Sequence, residues 1–102
     1  MQLLVHAKMY EIADKYDVPG LKELSRDKFK KTCDAFWTCE QFGVAAEYAY
    51  STTPDEDEGL RMCVRGTLAA HREIMKRPSI RTFLQKRPEL MYELLAGGSG
   101  VR

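Results

Sequence analysis

The sequence has no long apolar run and no strong excess of either charge, and each absence excludes a class of protein. Apolar runs span only a few residues, so no segment is predicted to cross a membrane. The N-terminal Met-Gln-Leu-Leu-Val lacks the basic start and apolar core of a signal peptide. Sixteen basic and fifteen acidic residues leave a net charge of +1, which gives the whole chain no general attraction for nucleic acid or anionic membranes.

Cysteine usage indicates a reducing compartment. Cys33, Cys39 and Cys63 are odd in number and widely spaced, so they form neither a disulfide framework nor a CxxC pair. Together with the missing signal peptide, this predicts a protein of the cytoplasm or the nucleus.

Motifs of catalysis and of metal binding are lacking as well. There is no Gly-rich phosphate loop, GxSxG elbow or Cys-His family signature. His6 and His71 are far apart, and Cys63 lies two helical turns from His71, too distant for a nucleophile and its base. We expect no enzyme activity, no metal and no cofactor, and we expect His71 to be a core histidine.

The residues that are present predict helices throughout. A hydrophobic fraction of 44% in 102 residues suits one small globular domain, and no stretch alternates with a period of two. The sequence therefore predicts an all-α bundle of five or six helices over residues 1–96, followed by a disordered tail at 97–102.

Local signals place the first helices. The first is predicted over residues 3–16, since Val18 precedes Pro19 and is pushed towards extended backbone, and Gly20 is expected to make the turn. Thr38 and Gln41 form a capping-box pattern that predicts an alanine-rich third helix from residue 39. The second helix is predicted to start at residue 21 and to bury one face: Leu21, Leu24, Ser25, Phe29, Thr32 and Phe36.

The later helices follow from proline positions and periodicity. Thr53-Pro54 predicts a new helix whose first turn holds the acidic run 55–58, and which continues to about Met75. A short helix is predicted over residues 79–86. The last helix should start at Pro88 and stop at Gly97-Gly98.

The first helix carries two apolar sectors, and this feature bears most directly on function. A helix with two such sectors normally lies between two packing layers. The rest of the chain is expected to cover the first sector, which consists of Val5, Met9, Ile12, Ala13 and Tyr16. The second sector, Leu3, Ala7 and Tyr10, is then expected to bind a protein partner, by self-association of the chain, or else to be covered by a rearranged segment of the same chain.

A second surface is predicted on the fourth helix. Its solvent side carries a basic strip, which is usually no more than a solvated helix face. An acidic protein or nucleic acid could also bind there, so a nucleic-acid-associated helical domain is the alternative function. The strip consists of Arg61, Arg65, Arg72 and Lys76.

The stretch HAKMYEIADKYDVPGLKELSRDKFKKTC resembles the C-terminal helical part of a BTB/POZ domain, especially of fungal BTB proteins. The following CEQFGVAAEYAYSTTPDEDEGLR is similar to the region after that core, so the resemblance covers residues 3–75. It implies an oligomerisation or adaptor protein whose full-length parent could link substrates to a cullin ubiquitin ligase.

The resemblance also implies that the chain is a fragment. A BTB domain has a small sheet with helices ahead of the helix that matches residues 3–16, and that portion holds most of the family's dimer and cullin contacts. The missing half would account for the second sector as a face that it normally covers. Cullin binding is therefore not transferred to individual residues of this chain.

Overall fold

A computed structural model describes residues 2–96 of the chain with their side chains. These residues contain helices and turns and no strand, so the predicted all-α fold is confirmed. The helices are α1 (Gln2–Lys15), α2 (Pro19–Phe36), α3 (Gln41–Thr52), α4 (Gly59–Ala70), a 3₁₀ segment (Arg72–Lys76), α5 (Pro78–Gln85) and α6 (Pro88–Gly100).

The corner between α1 and α2 is made by Asp17. Its φ of 57° is left-handed. The Asp17 backbone N–H donates to the Asp14 backbone carbonyl at 3.3 Å, and the Val18 N–H donates to the Ala13 carbonyl at 2.9 Å. This pair of bonds is the Schellman motif that ends a helix. Val18, before Pro19, leaves the helical region with φ −114° and ψ 86°, which is short of the extended backbone that the sequence predicts. The prediction that Gly20 makes the turn is wrong, because proline fits the first turn of a helix and α2 already starts at Pro19.

The core lies where α1 packs against α2 and α3, and α4 against α2. From α2, the core receives Ser25, Phe29 and Cys33. The predicted face of α2 is partly wrong, since Leu24 and Phe36 are exposed. Leu24 lies more than 100° around the helix from the buried Phe29, so it points away from the core although it is apolar.

Helix α3 fits closely against its neighbours because its inner face is small. Phe42, Ala45, Ala46 and Ala49 are fully buried, as the alanine-rich pattern predicts. The predicted capping box does not form, because residues 37–40 make turns and the helix begins at Gln41 without a side-chain cap.

The acidic run at residues 55–58 lies in the loop before α4 rather than in its first turn. The Thr53 hydroxyl donates to the Ala49 carbonyl at 2.8 Å, back into α3, and its oxygen accepts from Arg61 Nε at 2.9 Å rather than from a backbone N–H of the next helix. Asp57 Oδ1 instead accepts the Gly59 backbone N–H at 3.2 Å, just where α4 begins.

Helix α4 is shorter than predicted. It ends at Ala70, and His71 (φ −130°, ψ 65°) turns the chain into the 3₁₀ segment. Over a single turn, the apolar spacing of a 3₁₀ segment is close to that of an α-helix, so periodicity did not reveal the break. Ile74 still reaches the core. The His71 ring is half-buried and stacks on Trp37, with ring centroids 3.7 Å apart.

The C-terminal helices agree with the sequence. Helix α5 buries Ile80, Phe83 and Leu84, and α6 adds Leu90 and Leu94 to the same core. The predicted helix stop at Gly97-Gly98 is wrong, because α6 is assigned to Gly100. The side chains of the predicted tail at 97–102 lie outside the described residues.

Replacing Leu3 by alanine tests which side of α1 is packed. Leu3 is fully buried, so Leu3→Ala should lower the free energy of unfolding by about 2–5 kcal/mol. Val5→Ala, two residues away on the exposed side, should change it by less than about 0.5 kcal/mol. Urea denaturation followed by circular dichroism measures both. A larger loss from Val5→Ala than from Leu3→Ala would contradict this packing.

Candidate protein-binding face of the first helix

The second sector of α1 lies inside the chain's own core. Leu3 and Ala7 are 0% exposed and Tyr10 is 3% exposed. All three belong to one buried cluster with Phe29 and Leu60. The expectation that a partner covers them is therefore wrong, and the alternative holds, since this single chain covers them. We call these three residues the inner face.

The opposite side of α1 is apolar and faces solvent. Val5 is 51% exposed, Ile12 46% and Tyr16 67%. Met9, between them, is half-buried. These residues belong to the first sector, for which the sequence predicts burial in the core. Of that sector, Ala13 is buried. The sequence therefore predicts both apolar sectors, but the sector predicted to be buried is exposed and the other one is buried. We call Val5, Met9, Ile12 and Tyr16 the outer strip.

A polar cluster at Tyr10 fixes this rotation of α1. The Tyr10 hydroxyl donates to Asp57 Oδ1 at 2.6 Å. Lys22 Nζ lies 3.3 Å from Asp57 Oδ2 and 2.8 Å from Asp14 Oδ1. Gly59 leaves the space for the hydroxyl, because a Cβ at this position would overlap it. The cluster therefore ties α1 to α2 and to the start of α4.

The cluster shifts the pKa values of its members. Burial raises the pKa of Tyr10 to about 12, and its bond to Asp57 acts in the same direction. Burial alone would raise the pKa of Asp57 too. Hydrogen bonds from Tyr10 and Gly59 and the contact with Lys22 outweigh that effect and lower it. Asp57 is thus held as a carboxylate in the folded chain.

A second contact holds the other edge of α1. The Tyr48 hydroxyl of α3 donates to the Glu11 carboxylate. With Asp14 paired to Lys22, both acidic side chains of α1 are engaged inside the molecule. No local sequence motif marks these contacts, since the partners are 8 to 47 residues apart.

The predicted basic strip is not a continuous surface. Arg61 donates to Thr53 Oγ1 (2.9 Å) and to the carbonyls of Tyr50 (3.0 Å) and Thr53 (2.6 Å), and thereby holds the loop before α4. Lys76 is exposed, and it lies on the 3₁₀ segment beyond the end of α4.

The other two arginines of the strip are also engaged. Arg65 pairs with Glu58 at 3.0 Å, and Arg72 donates to the Leu94 carbonyl at 2.9 Å. The guanidinium groups of Arg61, Arg65 and Arg72 thus bind groups of the chain itself. These contacts argue against a basic face that binds nucleic acid.

Two of the surface hollows have volumes of about 400 Å³. A cleft of 380 Å³ lies beside Tyr50, whose ring is covered by Arg61 and Arg87 at 4.7 and 5.4 Å. Arg87 is itself held by Glu47 at 3.1 Å. A shallow groove of 410 Å³ separates α3 from α5, with Val44 exposed on its rim. Neither hollow brings together a nucleophile and a base.

The thiols of Cys33 and Cys63 are poor nucleophiles in this fold. Burial, followed by the neighbouring Cys63 thiol, raises the pKa of Cys33 to about 12. Burial also raises the pKa of Cys63. Within residues 2–96, no three histidine, cysteine or acidic side chains converge in a way that could hold a metal ion.

Comparisons with protein families, with curated proteins and with solved structures find no match to this chain. The candidate face therefore rests on geometry alone. None of the helices among the described residues is long and apolar enough to cross a membrane.

Asp57→Asn tests the cluster that orients α1. Because the pKa of Asp57 is lowered by folding, its charged form stabilises the chain above about pH 4, and this contribution is lost as the pH falls through the folded-state value. Asp57→Asn should cost about 1–2 kcal/mol at pH 7 and should flatten the decline of stability between pH 5 and pH 3. Urea denaturation across this range measures both effects.

Asp55→Asn is the matched control. The Asp55 side chain is 97% exposed, so this variant should keep the pH dependence of the unaltered chain. An Asp57→Asn variant that lost stability as steeply as the unaltered chain would show that the cluster does not hold a charged carboxylate.

Proposed function

We propose that the chain is a protein–protein interaction module whose binding face is the outer strip of α1. The observation that carries the proposal is the exposure of Val5, Ile12 and Tyr16 in one row, on a helix whose inner face is anchored in the core. Aligned exposed apolar side chains of this kind are typical of surfaces that receive a partner helix.

The area of the strip favours a weak or transient complex. Burying apolar surface contributes about 25 cal/mol per Å², so three such side chains supply a few kcal/mol before the cost of association. One row on one helix is well below the roughly 800 Å² that each partner buries in a standard interface.

The sequence resemblance supports a place for this module in a BTB-type oligomerisation or adaptor protein. It is strongest over α1, the Val-Pro-Gly corner and α2, the pair of helices that presents the outer strip. In that setting the full-length parent would be an intracellular adaptor that links substrates to a cullin ubiquitin ligase. The second sector of α1 does not support this placement, because the chain's own core covers the inner face.

Affinity capture with an outer-strip variant tests the proposal. Ile12→Lys places a charge in the middle of the strip and should reduce recovery of a specific partner at least about tenfold, while the free energy of unfolding changes by less than about 0.5 kcal/mol. Proteins retained from an extract of cells that express the chain are identified by mass spectrometry and compared between variants.

Tyr92→Lys on α6 is the control, because Tyr92 is 73% exposed and lies on a different helix from the outer strip. A partner retained by the unaltered chain and by Tyr92→Lys, but lost with Ile12→Lys, supports the outer strip as the binding face. Equal recovery with all three forms would contradict it.

A further inference from the structure

The outer strip has a basic edge. Lys8 and Lys15 are exposed and follow one side of the row at a spacing of seven residues. Among residues 2–96, neither ammonium group lies within ion-pair distance of a carboxylate. The two acids of α1 are both engaged, Glu11 by Tyr48 and Asp14 by Lys22.

The other edge of the strip is basic too. His6 lies there, and the positive charge of Lys28 on α2 acts on its ring. Burial and then that charge lower the pKa of His6, which disfavours the charged imidazolium beside Lys28. Asp17, in the corner after α1, is an exposed carboxylate beyond the end of the row. Cationic side chains thus lie beside the strip along most of its length.

The spacing of the strip is that of a helix-pairing seam. Val5, Met9, Ile12 and Tyr16 follow one another at intervals of four, three and four residues, the a and d positions of a heptad repeat. In this register Lys8 and Lys15 both fall at g positions, where interhelical salt bridges set which partner helix binds.

A second copy of the chain in antiparallel orientation suits this seam poorly. Antiparallel pairing matches its apolar residues, with Tyr16 beside Val5 and Ile12 beside Met9 of the other copy. The same pairing places g positions against g positions, so Lys8 of one copy faces Lys15 of the other on both sides of the twofold axis. Like charges opposed across a helix pair are destabilising.

From these observations we infer that the partner of the outer strip is an amphipathic helix with Asp or Glu residues along the edges of its apolar seam. The inference rests on the proposed function and specifies the chemistry of its partner. The apolar seam supplies the contact area, and the carboxylates meet Lys8, Lys15 and Lys28. A helix whose edges are basic would meet the same repulsion as a second copy.

Two synthetic peptides test the inference on the full chain. Each has three heptads, about 21 residues, with isoleucine at a and leucine at d; one carries glutamate at e and g, the other lysine. Fluorescence anisotropy should show the glutamate peptide binding at least about tenfold tighter than the lysine peptide at low salt, and the difference should shrink near 0.5 M salt.

Charge reversal on the chain provides the matched variants. Lys8→Glu combined with Lys15→Glu should reduce or invert the preference between the peptides. Lys76→Glu combined with Arg81→Glu makes the same change in net charge on the 3₁₀ segment and α5, and should leave the preference unchanged. Ile12→Lys should abolish binding of the glutamate peptide.

The remaining outcomes overturn the inference in distinguishable ways. Equal binding of both peptides, lost with Ile12→Lys, would mean that the strip binds helices without charge selection, and would leave the proposed function standing. Binding that survives Ile12→Lys would contradict both proposals. A dimer seen by light scattering and dissociated by Ile12→Lys would identify a second copy as the occupant. Binding of neither peptide would refute the proposal of an acidic partner helix. It would leave the proposed function open to its own test, which is affinity capture.

Discussion

Burial of Leu3, Ala7 and Tyr10 fixes the rotation of α1, and the exposed apolar row is a consequence of that rotation. A helix with two apolar sides can bury only the side that its own chain can fill. Here the hydrogen bond of the Tyr10 hydroxyl to Asp57 favours burial of the inner face, and the absence of a Cβ at Gly59 leaves space for it. Lys22 forms ion pairs with both Asp57 and Asp14. Turning α1 by half a turn would leave this polar group and the Ala7 contact without partners.

The same rotation explains the charge around the outer strip. Helix α1 has two acids, and both lie on the sides that face other helices, where Tyr48 and Lys22 engage them. Its lysines remain on the solvent side. Asp14 is thus paired with a cation, and Glu11 keeps its charge but is bound to Tyr48 of α3, while Lys8 and Lys15 stay exposed beside the strip. The arginines of α4 show the same tendency, since Arg61 and Arg65 bind carbonyl and carboxylate groups of the chain itself.

Sequence reasoning predicted the helices well wherever one signal dominated. Pro88 marks a helix start as predicted, Pro19 and Pro78 start helices within two residues of the predicted starts, and the alanines of α3 mark a close contact. It failed where local signals compete. Thr53 and Thr38 have the chemistry of helix caps, yet Thr53 bonds backwards to Ala49 and residue 38 lies in a turn. Both sectors of α1 could be found by periodicity, but the choice between them depends on Asp57, 47 residues away from Tyr10.

The central claim is the orientation of α1, and methyl NMR with a soluble paramagnetic agent tests it most directly. Methyl groups of Val5 and Ile12 should lose intensity strongly as the agent is added, because solvent reaches them. Those of Leu3 and Ala7 should be protected to the level of Val64 in the core. Strong loss at Leu3 and Ala7 with protection of Val5 and Ile12 would contradict the account.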